Sequence, residues 1–249
     1  FVSIDIVIFY VFFEAVLIPM FLIIGIWGGE NRLYATFKFF LYTLAGSVLM
    51  LLAIIYIISI TNTGNIEVIS KFDFAENIQP LIFSLSCIAI VYTSIVALRQ
   101  TDMKKMIAYS SVAHMGFVTI GIFTLTQDGM NGAYFQMISH GIVSAALFLI
   151  VGVVYERAHT RMIADYSGVK NIMPRYYFFF MVFMLSSVGL PGTSGFVGEF
   201  LVIMSTISVS VYLTIFTAVG VILGASYMLL LYKNVNFGDV KAEIKKLTD

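Results

Sequence analysis

The sequence predicts an all-α integral membrane protein, a polytopic helix bundle with one broken helix. Three observations lead to this fold class. The 249 residues are 60% hydrophobic and 11% charged, the mean hydropathy is +0.97, and apolar runs of about 20 residues, the length that crosses a bilayer, recur along the chain. A soluble domain with one core could not cover so much apolar surface. The lipid bilayer is therefore an expected partner of this chain.

Six apolar segments are predicted to cross the membrane. They are residues 4–27, 36–60, 81–98, 104–125, 132–155 and 211–232. A seventh stretch, 172–205, is too long for one straight helix and contains the sequence GLPGTSG at 189–195. Proline lacks a backbone donor and glycine is conformationally permissive, so a helix should break there. A break at membrane depth is typical of an ion path, although a kink that only shapes packing is the alternative.

The positions of the basic residues favour a single crossing by the broken stretch. Lysine and arginine concentrate on one side of a membrane, and one crossing places three basic connections on the same side. These connections contain Arg99, Lys104 and Lys105, then Arg157, Arg161, Lys170 and Arg175, then Lys233, Lys241, Lys245 and Lys246. The 14 basic and 14 acidic residues balance, so the charge does not indicate a nucleic-acid partner.

The predicted domain organisation has four parts. Two spans in 1–60 are followed by a polar connection at 61–80, a five-helix unit at 81–232 and a basic tail at 233–249. The chain begins at Phe1 without features of a signal peptide, and we expect it to be a piece of a longer protein. Its single cysteine, Cys87, cannot form an internal disulfide or a cysteine cluster. No metal site and no cofactor are predicted.

Four ionisable residues lie inside predicted spans: Glu14, His114, His140 and Glu199. A charge at the bilayer centre costs about 2.5–3.5 kcal/mol, so each carboxyl group should be either protonated or paired. A group balanced between those states is suited to proton transfer, and histidine titrates near physiological pH. A purely structural hydrogen-bonding role is the alternative for each of them.

Two lysines, Lys38 and Lys104, lie near the starts of predicted spans. A long basic side chain at such a position can extend to the membrane surface, so their positions alone favour a role as anchors.

Six blocks of sequence resemble one known family. The blocks are FYVFFEAVLIPMFLIIGIWGG, KFFLYTLAGSVLML, ALRQTDMKKMIAYSSVAHMGFVTIGIF, FQMISHGIVSAALFL, GLPGTSGFVGEF and GASYMLLLY. Through them the chain resembles the antiporter-like membrane subunits of respiratory complex I, of the type called subunit 4 or chain M. The resemblance implies two five-helix units of inverted topology, each with a broken helix and a half-channel for protons.

The resemblance also implies roles for the candidate residues. Glu14 would be the acid of the first half-channel, His114 and His140 would belong to a central polar axis, and Glu199 would be the terminal group of the second half-channel. Lys38 and Lys104 complete the set of candidate proton-path residues.

One departure from the family concerns Gln79 and Pro80, between which the family would have two further helices. One of these would supply a lysine that pairs with the Glu14 position. The chain would then be a reduced or split subunit, or a sequence from which segments are omitted. A separate chain that supplies the missing helices is an expected partner.

The function implied is that of a proton-translocating subunit in the membrane arm of complex I, with other membrane-arm subunits as partners and NADH:ubiquinone electron transfer in other chains. The alternatives are a subunit of a multi-chain cation/proton antiporter or membrane-bound hydrogenase, or a non-pumping structural subunit. The expected location is the mitochondrial inner membrane, with a bacterial plasma membrane as the alternative.

Overall fold

The computed structural model describes residues 5–28, 32–69, 74–241 and 244, with the backbone alone at 27, 67 and 74–76. Helices make up nearly all of the regular structure in these ranges, which confirms the all-α prediction. The chain forms two compact units, Phe1–Glu76 and Asn77–Asp249. We call them the first and the second unit.

The first unit contains a long helix and a two-part helix. The bounds are α1 Ile6–Ala15, α2 Leu17–Trp27, α3 Arg32–Thr61 and a short α4 Ile66–Ile69. The first predicted span is therefore interrupted at Val16. Because Pro19 has no N–H group, it cannot donate to the carbonyl of Ala15, four residues earlier. The missing backbone hydrogen bond explains the interruption. The Asp5 carboxylate caps α1 by accepting the Val7 and Ile8 N–H groups at 2.8 and 3.1 Å.

Besides the short 3-10 helices Ile163–Asp165 and Val169–Asn171, the described part of the second unit contains six α-helices. They are α5 Phe74–Leu98, which starts just before the unit, α6 Met103–Phe123, α7 Gln127–Ala158, α8 Pro174–Val188, α9 Ser194–Ile207 and α10 Val211–Asn236. The polar connection predicted at 61–80 contains the short helix α4 and the start of α5, which already includes Pro80. A proline in the first turns of a helix removes few internal hydrogen bonds, so the helix tolerates it.

The predicted break is confirmed between α8 and α9. Gly189 ends α8 with a φ of +76°, a left-handed conformation that glycine adopts without a steric penalty. The Leu190 N–H group donates to the Leu185 carbonyl at 3.1 Å, and the Thr193 hydroxyl donates to the Leu190 carbonyl at 2.7 Å. Local hydrogen bonds therefore satisfy part of the interrupted backbone, as membrane depth requires.

The three basic connections of the second unit meet at one end of its bundle. The Met103 N–H group donates to the Arg161 carbonyl at 3.0 Å, and the Gly168 N–H group donates to the Phe237 carbonyl at 3.2 Å. The opposite end contains the turn from α9 to α10, where the Thr206 hydroxyl donates to that of Thr214 at 3.0 Å. The broken helix therefore crosses the unit once, as the distribution of basic residues predicts.

The tail folds back on this basic end. The Lys241 ammonium group donates to the Ala164 carbonyl. Tyr166 is buried, and its hydroxyl donates to the Thr160 carbonyl at 2.8 Å. Burial, and then the charge of Asp165, raise the pKa of Tyr166 to about 12, so the phenol keeps its proton at neutral pH. One charged donor, Lys241, and one uncharged donor, Tyr166, thus hold the connection closed.

The core of the second unit has an apolar cluster on either side of a polar layer. The cluster toward the basic end includes Ile107, Val143 and Met184, and the cluster toward the opposite end includes Phe117 and Val202. The residues between these two clusters along α6, α7 and α9 form a buried polar site.

Six described segments are long and apolar enough to cross a membrane. They are Ile6–Ile26, Arg32–Thr61, Asn77–Leu98, Met103–Phe123, Gln127–Ala158 and Val211–Asn236. Large apolar side chains such as Phe12, Leu33 and Leu149 are exposed on the helix surfaces, where lipid is the favourable environment. The chain is a multi-pass membrane protein.

Candidate functional site

The break in the helix places a carboxyl group inside the bundle. Glu199 lies on α9, one and a half turns after the helix begins, and is 5% exposed. A Cβ atom added at Gly189 would lie 2.7 Å from its Oε2 atom. Only glycine at this position combines the left-handed turn with such a close approach, so the end of α8 and the Glu199 side chain share one space.

His114 on α6 is the direct partner of this carboxyl group. Its Nδ1 atom lies 3.0 Å from Glu199 Oε1, and the histidine is 6% exposed. A hydrogen bond between two such buried groups compensates for their lost hydration. Because a proton at this contact can reside on either partner, the pair is suited to binding and releasing one proton.

A third polar side chain, Gln136 on α7, contacts both members of the pair. Its Nε2 atom lies 3.4 Å from Glu199 Oε1 and 3.5 Å from His114 Nδ1, and the residue is 2% exposed. The Gln136 Oε1 and His114 Nε2 atoms are buried without a hydrogen-bond partner among the described residues. The cluster therefore retains one acceptor and one ring nitrogen for further contacts.

His140 lies one turn after Gln136 on α7 and faces the same cluster. Its ring centre is 5.2 Å from that of His114, with the planes inclined at 40°. Both histidines, Gln136 and Glu199 line a small cavity of about 10 Å³. That space is about what one water molecule needs, and the lining supplies the polar partners that a water requires. The two histidines are thus neighbours across a polar space.

Serine hydroxyls extend this polar layer to the helix break. Ser139 on α7 donates to the Ser194 hydroxyl at 2.9 Å, and the Ser186 hydroxyl lies 3.2 Å from that of Ser194. Ser194 is the first residue of α9 and Ser186 is near the end of α8. Hydroxyl groups from three helical segments therefore meet where the helix is interrupted.

The two predicted lysines do not join this cluster. Lys104 is exposed at the start of α6, ten residues before His114 and hence about 15 Å away along the helix axis. Lys38, in the first unit, is also exposed, and its ammonium group lies 5.7 Å from the ring centre of Tyr34 and 6.0 Å from that of Tyr42. Both environments agree with the interpretation of these lysines as surface anchors.

Glu14, in the first unit, lies near the middle of the Ile6–Ile26 segment. Its side chain interacts with the Tyr10 hydroxyl, which also contacts Ser47 of α3. Its Oε1 atom is buried without a hydrogen-bond partner among the described residues. An intramembrane carboxyl oxygen in this position favours an additional donor.

Gln136 is the member of the cluster that sequence reasoning missed. The signal was present, since residues four apart on a helix share a face and Gln136 precedes His140 by four.

No group of three His, Cys, Asp or Glu residues suitable for a metal ion occurs in the described ranges. The expectation that this chain has no cofactor stays a prediction.

Comparison with known sequences identifies relatives of one type. The 44% identical "NADH-quinone oxidoreductase subunit M" of Rhodobacter capsulatus aligns with 100% of this chain and 64% of its own length. The protein of the same name from Rickettsia felis is 46% identical, over 96% of this chain and 63% of its own length. The "NADH-ubiquinone oxidoreductase chain 4" of Chondrus crispus is 39% identical, over 95% and 62%. The chain spans less than two thirds of the length of these curated relatives.

Solved structures have the same fold. A chain of respiratory complex I from Thermus thermophilus has a TM-score of 0.86 at 26% identity, over 95% of this chain and 65% of that chain. A chain of the Mrp complex from Dietzia also has a TM-score of 0.86, at 18% identity, over 95% and 58%; this second likeness concerns the fold alone.

The profile of one transmembrane family matches most of the sequence. The match runs over residues 3–77 and again over 70–224. With the two apolar units, the broken helix and the buried histidine–glutamate pair, it places the chain in the family described as "NADH:quinone oxidoreductase/Mrp antiporter, TM", to which this protein belongs.

Proposed function

We propose that this protein is a proton-translocating subunit in the membrane arm of an NADH:quinone oxidoreductase. The single observation that supports the proposal most strongly is the buried His114–Glu199 pair beside a broken helix. The relatives at 44–46% identity are named as subunit M of that enzyme, which favours this assembly over others that share the fold.

In the proposed mechanism, the pair takes up and releases a proton within the bundle. A proton on His114 Nδ1 is shared with Glu199 Oε1 across 3.0 Å. His140, adjacent to His114 across the small cavity, is the next proton carrier along the polar layer. A change in the charge of one buried group alters the proton affinity of its neighbours, so the groups titrate together. Conformational and electrostatic coupling to quinone reduction in other subunits would drive this cycle.

The proposal assigns electron transfer to other subunits and no cofactor to this chain. The chain has one cysteine, whereas iron–sulfur clusters are commonly held by four. We propose the mitochondrial inner membrane as its location, with a bacterial plasma membrane as the alternative. The relatives include both the subunit M of Rhodobacter capsulatus and the "NADH-ubiquinone oxidoreductase chain 4" of Chondrus crispus. Immunodetection in purified membrane fractions tests that location.

The decisive experiment replaces Glu199 by Gln in the native assembly. Glu199→Gln keeps the side-chain shape but removes the titratable group, and we expect proton translocation per NADH oxidised to fall. Glu156→Gln is the matched control, because Glu156 is exposed at the end of α7. Loss of a positioned proton carrier typically slows proton transfer by about 100-fold or more. Unchanged translocation in a fully assembled Glu199→Gln enzyme would contradict the proposal.

We infer that another chain supplies helices against α1 and α2. The alignment with the Rhodobacter relative runs over 330 residues, against 249 in this chain, so the relative contains residues without a counterpart here. The family profile matches in two pieces that overlap at 70–77, which supports an internal difference there.

The surface of the first unit agrees with such a partner. An apolar groove of about 480 Å³ lies along α1, α2 and α3, lined by Phe9, Phe12, Phe13, Val16, Leu17, Met20, Phe39 and Thr43. Glu14 lies in the same helix as the first of these residues, with one carboxyl oxygen lacking a described donor. A helix with a basic side chain would fill the groove and pair with that oxygen, as the family resemblance implies for its lysine.

A further inference from the structure

We propose that Gln136 is a positioning residue that holds the Glu199 carboxylate in its ionised form, facing His114. The inference rests on the proposed function, because it concerns the same buried pair. It adds a third residue, from a third helix, to the groups that set when the pair takes up a proton.

The geometry gives the amide a defined role as a donor. Glu199 Oε1 receives Gln136 Nε2 at 3.4 Å and His114 Nδ1 at 3.0 Å. When Nδ1 carries its proton toward Glu199, the ring nitrogen has no lone pair left for the amide. Glu199 Oε1 is then the acceptor available to Gln136, so the carboxylate has two donors on one oxygen.

The orientation of the amide follows from the same chemistry. The opposite orientation would place Gln136 Oε1 against the carboxylate oxygen, and two acceptors without a proton between them repel. If Glu199 is protonated, the reversed amide becomes acceptable, because a carboxylic acid can donate to its oxygen. Gln136 therefore favours the anion in one orientation and tolerates the neutral acid in the other.

Packing fixes the distance between Gln136 and the pair. A Cβ atom added at Gly198, the residue before Glu199, would lie 2.5 Å from Gln136 Oε1 and 2.9 Å from its Cα atom. Such close approach of α7 and α9 requires a residue without a side chain at position 198. The backbone contact thus places the amide against the carboxyl group with little freedom to withdraw.

Few of the other groups around Glu199 donate a hydrogen bond to its carboxylate. From α6, His114 faces Glu199, and from α7, His140 lines the same cavity. From α10, the buried Tyr227 interacts electrostatically with Glu199, while α8 contributes the uncharged Ser186 and Ser187. Removing the amide leaves the carboxylate with His114 as its remaining hydrogen-bond donor among these side chains.

The test measures the protonation of Glu199 directly. Infrared difference spectroscopy of the native assembly, titrated with pH, follows conversion of the carboxylate to the acid, and Glu199→Gln identifies the band. In Gln136→Met the carboxylate loses one donor, so we expect the midpoint to move to higher pH by roughly one unit. Gln79→Met is the matched control, since the Gln79 amide bonds instead to the Phe123 carbonyl at 2.7 Å, and its midpoint should not move.

A second variant replaces the Gln136 amide by a charged group. Gln136→Glu preserves the side-chain length and adds a like charge beside Glu199, so its midpoint should move further in the same direction. Midpoints that match the unaltered protein in either folded variant would overturn the proposal and leave Gln136 a packing residue. The titration needs no proton pumping, so a shift in Gln136→Met together with normal translocation in Glu199→Gln would refute the proposed function alone.

Discussion

At the level of single residues, the buried His114–Glu199 pair depends on two glycines, because their lack of a side chain leaves room for the polar groups. Glu199 and His114 are 85 residues apart in sequence and meet because α9 packs closely on α6 and α7. Gly189 gives the Glu199 carboxyl group space at the helix break, and Gly198 gives Gln136 its place. Two glycines therefore make room for the Glu199 and Gln136 side chains.

A prediction at this scale concerns Gly198→Ala. The added methyl group would overlap Gln136, and because backbone atoms are among the close contacts the helices must separate. We expect destabilisation by about 1–3 kcal/mol, measured as a lower thermal unfolding midpoint in detergent. Gly141→Ala, on α7, is the control, since nothing lies within 4 Å of its added methyl group; that helix should instead gain about 0.5–1 kcal/mol. Equal midpoints for the two variants would show that the close contact is relaxed in solution.

At the scale of helices, the start of α6 sets the depth of His114. Asp102 caps the helix by accepting the Lys104 and Lys105 N–H groups at 2.8 and 3.2 Å. Its other oxygen lies 3.6 Å from Arg161 Nε. Since Arg161 is partly exposed, the ion pair should contribute less than the cap.

The corresponding prediction separates the two contributions of Asp102. Asparagine caps a helix about as well as aspartate but removes the charge, so Asp102→Asn should leave stability nearly unchanged. Asp102→Ala should destabilise the protein by about 1 kcal/mol, because it leaves helix N–H groups without an acceptor. Thermal unfolding of both variants and of Arg161→Gln measures the difference. A loss in Asp102→Asn as large as in Asp102→Ala would mean that the ion pair, not the cap, holds the helix start.

In the molecule as a whole, the two units differ in whether their own helices supply hydrogen-bond partners for the buried carboxyl group. In the second unit, the carboxyl group of Glu199 has His114 and Gln136 as partners from its own helices. In the first unit, one oxygen of Glu14 has no partner in the described ranges. This difference is the physical reason to expect a second chain beside the first unit.

A photo-reactive residue in the groove of the first unit should form a covalent adduct with the partner protein. Phe12 lines the groove and is 66% exposed, whereas Leu49 on α3 is 68% exposed and does not line it. In native membranes, a benzophenone-bearing residue at position 12 should give a protein adduct whose sequence contains an apolar helix with a lysine. The same probe at position 49 serves as the control for random collisions. Lipid adducts alone at position 12 would contradict the partner.

Local sequence patterns are sufficient to predict the membrane fold, the broken helix and its single crossing. Hydrophobic length, a Gly/Pro run and the placement of basic residues are local properties, and lipid imposes the same requirements on every spanning segment. Pattern alone also selected His114, His140 and Glu199 as candidates, because an ionisable group is costly at membrane depth wherever it lies.

The folded structure determines which of these groups are in contact. It brings His114 and Gln136 into contact with Glu199. Lys104 lies at the surface, about 15 Å from His114 along the axis of α6. A neutral glutamine carries no charge penalty that would mark it in a sequence, and its role arises from the close approach of α7 and α9 at Gly198. Helix packing, which depends on contacts between distant residues, therefore decided the site within a fold that local chemistry had already specified.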